Sequence, residues 1–424
     1  MSETIAVIGT GYVGLTTGAC FAELGHTVVC ADIDEDKIRR LNAGEIPIVE
    51  HGLERLVHEN VRAGRLSFVV GAAAAAAECE FAYLCVPTPQ GLDGSADLSY
   101  IEAAAAQIGP VLASEAVVIN KSTVPVGSTR VVERALGRSD VFVVSNPEFL
   151  REGSAVNDFM KPDRVVIGSD SQAAAIRVAS LYMGIPAPIM VTDPASAETI
   201  KYAANAFLAT KLSFVNAVAA ICEAVGADVA DVMLGIGYDK RIGQDFLNPG
   251  PGWGGSCFPK DTRALAHIAE QAGYDFHLLR GVLAVNDEQF ERVADKIERL
   301  IGSSVEGKRV AVWGLTFKAR TDDLRDSPSL EVIARLRERG AEIVGYDPAV
   351  HDDLDGVKVV SDPYAACEGA EVLAVLTEWD EFRWLDFDKV HDALVAPRIL
   401  DGRNLLDSAA LKRRGFAYDG IGRS

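Results

Sequence analysis

One stretch of the sequence, residues 250–261, combines the residue types that nucleophilic chemistry needs. It reads GPGWGGSCFPKD and places Cys257 two residues before Pro259. Because proline favours the first positions of a helix, we predict a helix that begins near Pro259 and carries Lys260 and Asp261 in its first turn. The thiol would then lie where backbone N–H groups and the helix dipole stabilise anions, and the glycines would let the backbone approach a ligand closely. The stretch therefore predicts a reactive cysteine beside a bound substrate.

The remaining cysteines have different surroundings. All six lie in apolar or helical stretches, where a cysteine is usually a small buried hydrophobe: Cys20, Cys30, Cys79, Cys85, Cys222 and Cys367. An odd number of scattered cysteines without a CxxC pair is typical of a reducing cytoplasm and argues against disulfides and a zinc site. We therefore predict one reactive cysteine and no metal.

The second strong signal is a glycine-rich turn near the N-terminus. Residues 4–8 read as a buried strand, GTGYVG occupies 9–14, an apolar helix follows over 15–24, and a strand over 27–30 leads to Asp32. Such glycines permit a tight turn and close approach of a pyrophosphate to a helix N-terminus, while the acid bonds the ribose hydroxyls. In this strand–turn–helix–strand–acid context the pattern predicts a dinucleotide site. A carboxylate at Asp32 would repel a 2′-phosphate, which favours NAD over NADP.

Pairs of polar residues recur four positions apart, the spacing that places two side chains on one helix face. They are Glu148 and Glu152, Lys201 and Asn205, and Cys257 and Asp261. The first pair follows a predicted strand at its carboxyl end, where open α/β sheets bind ligands. Such pairs usually decorate a solvated face, but Lys201 and Asn205 lie in apolar surroundings. Two further loops at strand ends, CVPTP at 85–89 and KSTVPVG at 121–127, are predicted near the adenosine and the nicotinamide.

Hydrophobic periodicity divides the chain into two α/β halves around a helical middle. In the first half helical patterns alternate with strand-like runs, as in a doubly wound parallel sheet; these runs span 66–70, 81–86, 117–120, 141–145 and 164–168. Residues 195 to about 225 form a helical pattern without Gly or Pro, and roughly 45 Å of helix is more than one domain needs. We interpret it as a spine between two domains and as a dimer surface. Helix resumes after Pro259 and runs to about Ile301, with breaks at Gly273 and Gly281.

The second half begins at Lys308 and resembles the first in outline. Strands are predicted over 309–313, 342–346, 372–376 and 398–401, with an amphipathic helix over 329–339. Its first turn, GLTFK at 314–318, lacks the second and third glycines, so it cannot cradle a dinucleotide in the same way. Lys318 suits a different phosphate ligand. The fold class is therefore α/β, with two Rossmann-like doubly wound domains joined by a long central helix.

Composition limits the classes of function. The 424 residues suffice for two or three domains, and 49% hydrophobic with 24% charged residues is typical of a globular protein. A net charge of −20 argues against binding to nucleic acid or an anionic membrane, and it requires a locally basic pocket for an anionic substrate. We find no signal peptide and no apolar run near the ~18 residues of a membrane span, and we expect a cytoplasmic protein.

Taken together, the motifs resemble the UDP-glucose 6-dehydrogenases of the UDP-glucose/GDP-mannose dehydrogenase family. The motifs that carry the resemblance cover essentially the whole chain and are GTGYVG, CVPTP, KSTVPVGS, NPEFLREG, KYAANAFLATKLSFVNA, RIG, GPGWGGSCFPKD and GLTFKARTDDLRDSP. The resemblance implies an NAD-binding domain over 1–194, a central helical and dimerisation region with the cysteine loop over 195–303, and a UDP-sugar-binding domain over 304–424. It also implies a four-electron, NAD-dependent oxidation of UDP-glucose to UDP-glucuronate.

The resemblance implies a covalent mechanism. Oxidising an aldehyde to an acid by hydride transfer first requires a nucleophile that makes the carbonyl carbon tetrahedral, and a thiolate does so as a thiohemiacetal. By similarity Cys257 is that nucleophile, and a thioester follows. Lys201 would assist the first oxidation and stabilise oxyanion charge, with Asn205 as a hydrogen-bond donor.

Hydrolysis of the thioester would involve three further residues. Asp261 and Thr123 would position or activate water, and Glu152 would be the base. The division of labour among these three stays open.

Binding residues also follow from the resemblance. Those implied for NAD are Gly9, Gly11, Tyr12, Val13, Gly14, Asp32, Lys37, Pro87, Thr88, Ser122, Thr123, Glu152, Lys260 and Arg325. Those implied for the nucleotide sugar are Glu148, Phe149, Leu150, Glu152, Lys201, Asn205, Arg241, Phe246, Leu247, Asn248, Gly250, Trp253, Gly254, Lys318 and Arg403. Among these, Lys318 and Arg403 supply local positive charge, and Arg241 resembles an arginine that a neighbouring subunit inserts into the site, so a homodimer or higher homo-oligomer is expected.

Other functions stay open at this point. The sugar could be that of GDP-mannose or a UDP-N-acetylhexosamine, because the contacts that distinguish sugars are not visible in sequence. A single-step hydroxyacid dehydrogenase shares a dinucleotide domain and a long helix, but it needs neither the thiol nor a second phosphate-binding half. A non-catalytic nucleotide sensor would not need Lys201, Cys257 and Asp261 together.

Overall fold

The structure is a computed structural model that describes residues 2–89, 91 and 96–423. It divides into two compact units, Met1–Ala204 and Asn205–Ser424, with the boundary inside one long helix. The three-part division predicted from the sequence stays a prediction.

An eight-stranded sheet forms the centre of the first unit. Its strands are β1 Thr4–Ile8, β2 Thr27–Asp32, β3 Leu66–Val70, β4 Phe81–Leu84, β5 Val117–Asn120, β6 Phe142–Ser145, β7 Val165–Gly168 and β8 Ile189–Thr192. They lie in the order β3-β2-β1-β4-β5-β6-β7-β8. The strand order reverses between β1 and β4, and open α/β sheets bind ligands at the carboxyl ends of the strands beside such a point.

Helices cover both faces of this sheet. They are α1 Tyr12–Glu23, α2 Glu35–Asn42, α3 Leu53–Arg62, α4 Ala72–Ala76, α5 Ser99–Ile108, α6 Ser128–Leu136, α7 Ala155–Met160, α8 Gln172–Ser180 and α9 Pro194–Val225. Strand β1 shows why the sequence forms a two-sided core. Ile5 and Val7 pack into the cluster on one face, and Ala6 and Ile8 into the cluster on the other. A strand buried on both faces is apolar throughout, as sequence analysis predicts for this segment.

A six-stranded parallel sheet forms the centre of the second unit. Its strands are β9 Arg309–Trp313, β10 Glu342–Tyr346, β11 Val357–Val359, β12 Val372–Val375, β13 Arg398–Asp401 and β14 Ala417–Gly420, in the order β11-β10-β9-β12-β13-β14. The helices are α10 Val229–Gly237, α11 Phe258–Gln271, α12 His277–Ile301, α13 Pro328–Glu338, α14 Pro363–Cys367, α15 Phe387–Ala393 and α16 Ser408–Arg413, with a 3₁₀ helix at Asp380–Trp384. The predicted α/β class with two Rossmann-like domains and a long central helix is confirmed.

Strand direction and some element bounds differ from the predictions. The first sheet is not wholly parallel, because β6 and β7 meet in antiparallel orientation at Ser145 and Gly168; hydrophobic periodicity carries no information on strand direction. The predicted break at Gly273 is confirmed by its positive φ of 76° after α11. The break at Gly281 is wrong, since α12 runs through it and glycine inside a helix costs only about 1 kcal/mol.

Helix α9 also corrects the expectation that no apolar run approaches a membrane span. By length and composition it could cross a bilayer, since its most apolar 18-residue window has a mean hydropathy of 1.5. One third of that window is buried within the protein. Val215, Ala219 and Cys222 of α9 pack into the core of the second unit, so the apolar composition serves a globular core here.

Candidate active site

The glycine-rich turn joins β1 to α1, and a side chain at each of its three glycines would meet different surroundings. Gly9 has a φ of 98°, and a Cβ there would lie 2.5 Å from the carbonyl oxygen of Cys85. A Cβ on Gly14 would clash with the carbonyl oxygen of Gly9. A Cβ on Gly11, in contrast, would meet no atom within 4 Å, and α1 has no side-chain cap at this end. The turn is therefore closed by packing at two glycines and open at the third, which fits a dinucleotide diphosphate at the helix N-terminus.

Asp32 ends β2 as an ionised carboxylate beside this turn. Its Oδ2 accepts hydrogen bonds from the Thr10 amide at 2.9 Å and the Thr10 hydroxyl at 2.7 Å, and Lys37 Nζ lies 3.0 Å away. Burial raises the pKa of Asp32, but the hydrogen bonds from Thr10, Asp34 and Lys37 outweigh burial and lower it to about 2. The charge suits a ribose diol and opposes a 2′-phosphate.

The loops after β4 and β5 meet at their tips. Thr88 donates its hydroxyl hydrogen to the Thr123 carbonyl at 2.9 Å, and Ser122 donates to the Val86 carbonyl at 2.7 Å. Pro87 lies exposed between the strand and Thr88. Because β4 and β5 are neighbours in the sheet, two motifs that are distant in sequence form one edge of the same crevice.

Glu148 and Lys201 form a buried ion pair. Lys201 Nζ on α9 lies 2.7 Å from Glu148 Oε1 in the loop after β6, and both side chains are about 95% buried. Burial raises the pKa of Glu148, but the charge and hydrogen bond of Lys201, the Leu150 amide and the charge of Lys121 together lower it below its ordinary value. The loop that carries Glu148 and Glu152, which we call the acid loop, is thus in direct contact with the spine helix. Sequence analysis did not predict this contact. Phe149 lies beside it, with Lys201 Nζ 5.5 Å from the ring centroid.

Glu152 lies half-buried four residues further along this loop. The neighbouring Arg151 pairs with Asp158 at 2.6 Å, which holds the loop against α7. Burial and Glu50 raise the pKa of Tyr12, and the charges of Glu152 and Glu148 raise it further. Glu152 is therefore within electrostatic range of the glycine-rich turn.

Cys257 occupies the N-cap of α11, which begins at Phe258. The predicted start near Pro259 is confirmed to within one residue. Cys257 is half-buried, whereas the other six cysteines are buried, as expected for small core residues. Ser256 Oγ lies 3.6 Å from the sulfur. The Asp261 amide donates to the Cys257 carbonyl at 2.9 Å and closes the first turn.

Asp261 is buried and bonded through both carboxylate oxygens. Asn205 Nδ2 donates to Oδ2 at 2.6 Å, and Lys260 Nζ lies 2.8 Å from Oδ1. The spine helix and the cysteine helix are therefore in contact within the second unit through Asn205 and Asp261. Asp261 orients an amide and an ammonium one turn after Cys257.

The glycine loop before Cys257 packs tightly against the protein itself. A Cβ on Gly252 would clash with Phe290, one on Gly254 with the carbonyl of Asp326, and one on Gly255 would come within 2.7 Å of Phe317. Protein atoms therefore exclude a side chain at each of these positions. The expectation that these glycines also let a ligand approach the backbone stays a prediction. Gly250 differs, since its nearest neighbour would be the Arg403 guanidinium at 3.1 Å.

Amide side chains hold the ends of this loop. Asn216 accepts from the Gly250 amide at 2.9 Å, and Gln289 donates to the Gly250 carbonyl at 2.7 Å. Asn286 bonds both backbone groups of Trp253, at 2.8 and 2.9 Å. The loop geometry thus depends on α9 and α12 rather than on the glycines alone.

The predicted sugar-side residues Phe246, Leu247 and Asn248 precede this loop. Phe246 has a φ of 61°, a strained conformation for a bulky side chain, and its ring lies 6.3 Å from that of Phe258. Leu247 is buried and Asn248 is exposed. Backbone strain of this kind concentrates at functional sites, and here it lies beside the cysteine helix.

The first turn of the second half is filled by its own protein groups. Asp347 follows β10 as Asp32 ends β2, and its Oδ2 accepts from the amides of Leu315 and Thr316 and from the indole of Trp379, at 2.7, 3.1 and 3.1 Å. The acid that would meet a ribose is thus occupied, in line with the prediction that this turn does not cradle a dinucleotide in the same way.

The predicted basic residues are ion-paired or stacked. Arg403 lies 3.1 Å from Glu378 and donates to the Leu376 carbonyl, and Arg325 pairs with Asp323 at 2.6 Å. Lys318 Nζ lies 5.2 Å from the Phe317 ring centroid. Arg241 pairs with Asp239, although its side chain is 90% exposed.

Glu198, Lys121 and Glu50 are among the buried charged residues that escaped sequence analysis. Glu198 accepts from the amides of Gly127 and Thr129 and so caps α6. Lys121 donates to Asn146 at 3.1 Å, and Glu50 joins two loops of the first unit. No local signal marks them, because their partners lie 25 to 105 residues away in sequence.

Comparison with known proteins places this geometry among the dehydrogenases. Three models of the UDP-glucose/GDP-mannose dehydrogenase family match the chain: the NAD binding domain over residues 3–185, the central domain over 195–288 and the UDP binding domain over 311–408. A UDP-glucose 6-dehydrogenase of Bacillus subtilis is 48% identical, with 99% of this chain and 93% of the relative covered. The Bacillus relative matches over almost the whole length of both chains. The three family models match successive parts of this chain.

Two solved structures are also similar over nearly their full length. A UDP-glucose dehydrogenase from the archaeon Pyrobaculum islandicum superposes with a TM-score of 0.91 at 38% identity, covering 100% of this chain and 98% of the other. A UDP-D-ManNAc dehydrogenase from Pyrococcus horikoshii gives a TM-score of 0.88 at 29% identity, with 99% of each chain covered.

Substitutions at Gly14 and Gly11 should have different effects on stability and on NADH binding. Gly14→Ala introduces a clash with backbone and should lower the unfolding free energy of the cofactor-free protein by about 1–3 kcal/mol. Gly11→Ala meets open space, so it should change stability by no more than about 0.5 kcal/mol while weakening NADH binding about tenfold or more. Thermal unfolding and fluorescence titration measure the two quantities. Tight NADH binding by the Gly11 variant would contradict a diphosphate at this turn.

The stability contributed by Asp32 should depend on pH. Its pKa of about 2 in the folded protein lies below the ordinary 3.8, so folding favours the ionised form. The contribution is therefore complete above pH 3.8, and it is lost as the pH falls towards 2. Asp32→Asn should cost on the order of 2 kcal/mol near neutral pH and progressively less in acid. Thermal unfolding over this range tests it, with the exposed Asp355→Asn as control; a loss that is independent of pH would contradict the assignment.

Proposed function

We propose that this chain, which belongs to the UDP-glucose/GDP-mannose dehydrogenase family, oxidises UDP-glucose to UDP-glucuronate with two equivalents of NAD. The observation that carries the proposal is Cys257, the one cysteine that is not buried, at the N-terminus of α11 in the matched central domain. The curated relative of 48% identity, which bears this activity in its name, supports UDP-glucose as the substrate. The matched NAD binding and UDP binding domains account for the two nucleotides.

NAD fits the open glycine turn and the charged Asp32. We propose that it is held there by the turn and by Lys37, Thr88 and Thr123, with Arg325 contributing from the second half. Bound NAD accepts the hydride that leaves carbon 6 in each of the two oxidations. The remaining chemistry is supplied by side chains of this chain.

Lys201 prepares the first oxidation. The C6 hydroxyl must release a proton to water as its carbon loses a hydride, and negative charge develops on the oxygen. The Lys201 ammonium, buried and held by Glu148, supplies positive charge for that oxygen in a site of low dielectric constant. Asn205, oriented by Asp261, donates a further hydrogen bond. The product of this step is the aldehyde.

Cys257 converts the aldehyde into a species that can lose a second hydride. Its thiolate adds to the carbonyl carbon and forms a C–S bond, which gives a thiohemiacetal whose oxygen carries the charge. Loss of a hydride from that carbon leaves a thioester. Water then attacks the thioester carbon, the C–S bond breaks, and the thiolate and a carboxylate are released.

We assign activation of the hydrolytic water to Glu152. Glu148 is committed to Lys201, and both oxygens of Asp261 are bonded to Asn205 and Lys260. Asp261 is therefore a positioning residue, whereas Glu152 lies in the loop at the carboxyl end of the sheet. The Thr123 hydroxyl would orient the water.

Nucleotide-sugar binding is proposed for the residues of the matched UDP binding domain and the glycine loop. Lys318 and Arg403 would face the diphosphate, and Gly250 lies beside Arg403. Phe149, Leu150, Phe246, Leu247, Asn248, Trp253 and Gly254 would surround the sugar and uridine. The functional division at 1–194, 195–303 and 304–424 is kept as part of this proposal, as is a cytoplasmic location.

The proposal predicts two NADH for each UDP-glucose consumed. Cys257→Ser lacks a thiolate, so the enzyme should stall with aldehyde or ester bound and lose about a hundredfold or more in turnover. NADH absorbance with limiting sugar measures both quantities.

The matched control is Cys79→Ser, because Cys79 is buried and bonds the Ala75 carbonyl as a serine also would. One NADH per sugar would favour a hydroxyacid-type, single-step enzyme, and unchanged NADH production by the Cys257 variant would refute the role of the thiol. A panel of UDP-glucose, UDP-galactose, UDP-N-acetylglucosamine and GDP-mannose tests the sugar.

A homodimer formed through α9 is also proposed. Phe207, Phe214, Ile221 and Val225 follow one another at helical spacing, and each is more than half exposed. Contiguous apolar surface of this kind marks an interaction site. A partner subunit would also give a role to the exposed Arg241, which is implied to enter the neighbouring site.

Phe214→Glu should therefore convert the dimer to a monomer, because a charge would be buried at its centre. Light scattering coupled to size exclusion measures the mass. Val395→Glu, at an exposed apolar residue of another segment, is the control. A dimer that persists in the Phe214 variant would contradict the assignment.

A further inference from the structure

We infer that Glu50 is a positioning residue that couples the glycine-rich turn to the loop carrying Glu148 and Glu152. The inference rests on the proposed function, because it takes that turn as the NAD site. Glu50 would make cofactor binding stabilise the acid loop.

Glu50 is buried, with 8% of its surface exposed, and it joins two segments that are far apart in sequence. Its Oε2 accepts from the Tyr12 hydroxyl at 2.9 Å and from the Gly153 amide at 2.7 Å. Its Oε1 accepts from the Ala155 amide at 3.0 Å. Among the described ion pairs none includes Glu50, so these neutral donors hold the carboxylate.

The hydrogen-bond donors to Glu50 lie on the two segments that the inference connects, the glycine-rich turn and the loop that carries Glu148 and Glu152. Tyr12 is the first residue of α1, directly after the open Gly11. Gly153 and Ala155 flank the end of the acid loop, where the chain enters α7. A carboxylate that only capped α7 would need the two amides and not the phenol. The Tyr12 hydrogen bond is therefore the feature that a local structural role leaves unexplained.

The electrostatics of Tyr12 agree with this connection. The charges of Glu152 and Glu148 both act on the phenol, in addition to that of Glu50. The phenol therefore lies near the functional end of the loop as well as near its anchor. Displacing α1 at the turn must stretch the Tyr12 bond or move Glu50 and the two amides with it.

The consequence is that a ligand bound at the glycine-rich turn also orders the loop that carries Glu148 and Glu152. A bound diphosphate restrains the first turn of α1, and Tyr12 passes that restraint to Glu50 and the loop. The loop should then open less often, which slows hydrogen exchange at its amides. In thermodynamic terms, cofactor binding at the turn already restricts the loop, so a second ligand that orders the loop loses less conformational entropy.

Hydrogen exchange with NADH as the probe tests this directly. In the wild type NADH should protect peptides covering residues 9–14 and also 151–156. Glu50→Gln should raise exchange over 151–156 in the cofactor-free protein by about tenfold or more, since hydrogen bonds to a carboxylate are lost. Tyr12→Phe removes a single oxygen. At an NADH concentration that saturates each protein, this variant should lose the NADH-dependent protection of residues 151–156, whatever its affinity for NADH.

Tyr346→Phe is the matched control. It removes the hydrogen bond from Tyr346 to Glu381, another tyrosine–glutamate pair at 2.9 Å, and should leave both responses unchanged. Protection of the turn without protection of the loop in the wild type, or a loop response that survives in Tyr12→Phe, would overturn the inference and leave the proposed function intact. Absence of any NADH response at residues 9–14 would overturn the proposed function and the inference with it.

Discussion

The buried contact between Lys201 and Glu148 is the constraint around which the first unit is organised. A charge removed from water must be paired, since breaking a buried pair typically costs about 3–5 kcal/mol. The 2.7 Å contact therefore fixes where the acid loop lies on α9. It also keeps the Lys201 ammonium largely out of contact with water. In the proposed function this ammonium stabilises the negative charge that develops on the substrate oxygen.

In the second unit a buried charge is compensated by a network of hydrogen bonds instead of by a single ion pair. Asp261 is fully buried and shares its two oxygens between Asn205 and Lys260. This arrangement holds a hydrogen-bond donor and a cation one turn into the helix that Cys257 caps. Groups set in advance need no reorganisation when charge develops, and electrostatic stabilisation of this kind is usually the largest contribution to catalysis.

The two halves of the chain contain the same type of turn in different surroundings. Gly9 and Gly314 both have positive φ, and each is followed by a strand whose terminal acid bonds back to the turn. Asp32 is held by Thr10 and Lys37 near an open Gly11, whereas Asp347 Oδ2 accepts from Leu315, Thr316 and Trp379. The same backbone device thus leaves an open turn in one half and a turn filled by protein groups in the other.

Sequence alone determined the features that depend on local pattern. Strands 66–70, 117–120, 309–313, 342–346 and 398–401 agree with the structure residue for residue, because each is a short, largely apolar run bounded by turn residues. The N-cap position of Cys257 likewise follows from Pro259 two residues later. These features could be predicted because the chain neighbours that cause them lie within a few residues.

Tertiary structure alone decided which distant groups meet. Three features involve partners 23 to 72 residues apart in sequence: the antiparallel β6–β7 contact, the packing of Gly252 and Gly254 against Phe290 and Asp326, and the hydrogen bond from Tyr12 to Glu50. No sequence signal marks them, because a glycine pressed against a ring and a glycine facing a ligand have the same local pattern. Burial of a charged or Cβ-free residue becomes favourable only when the fold brings its partner to it.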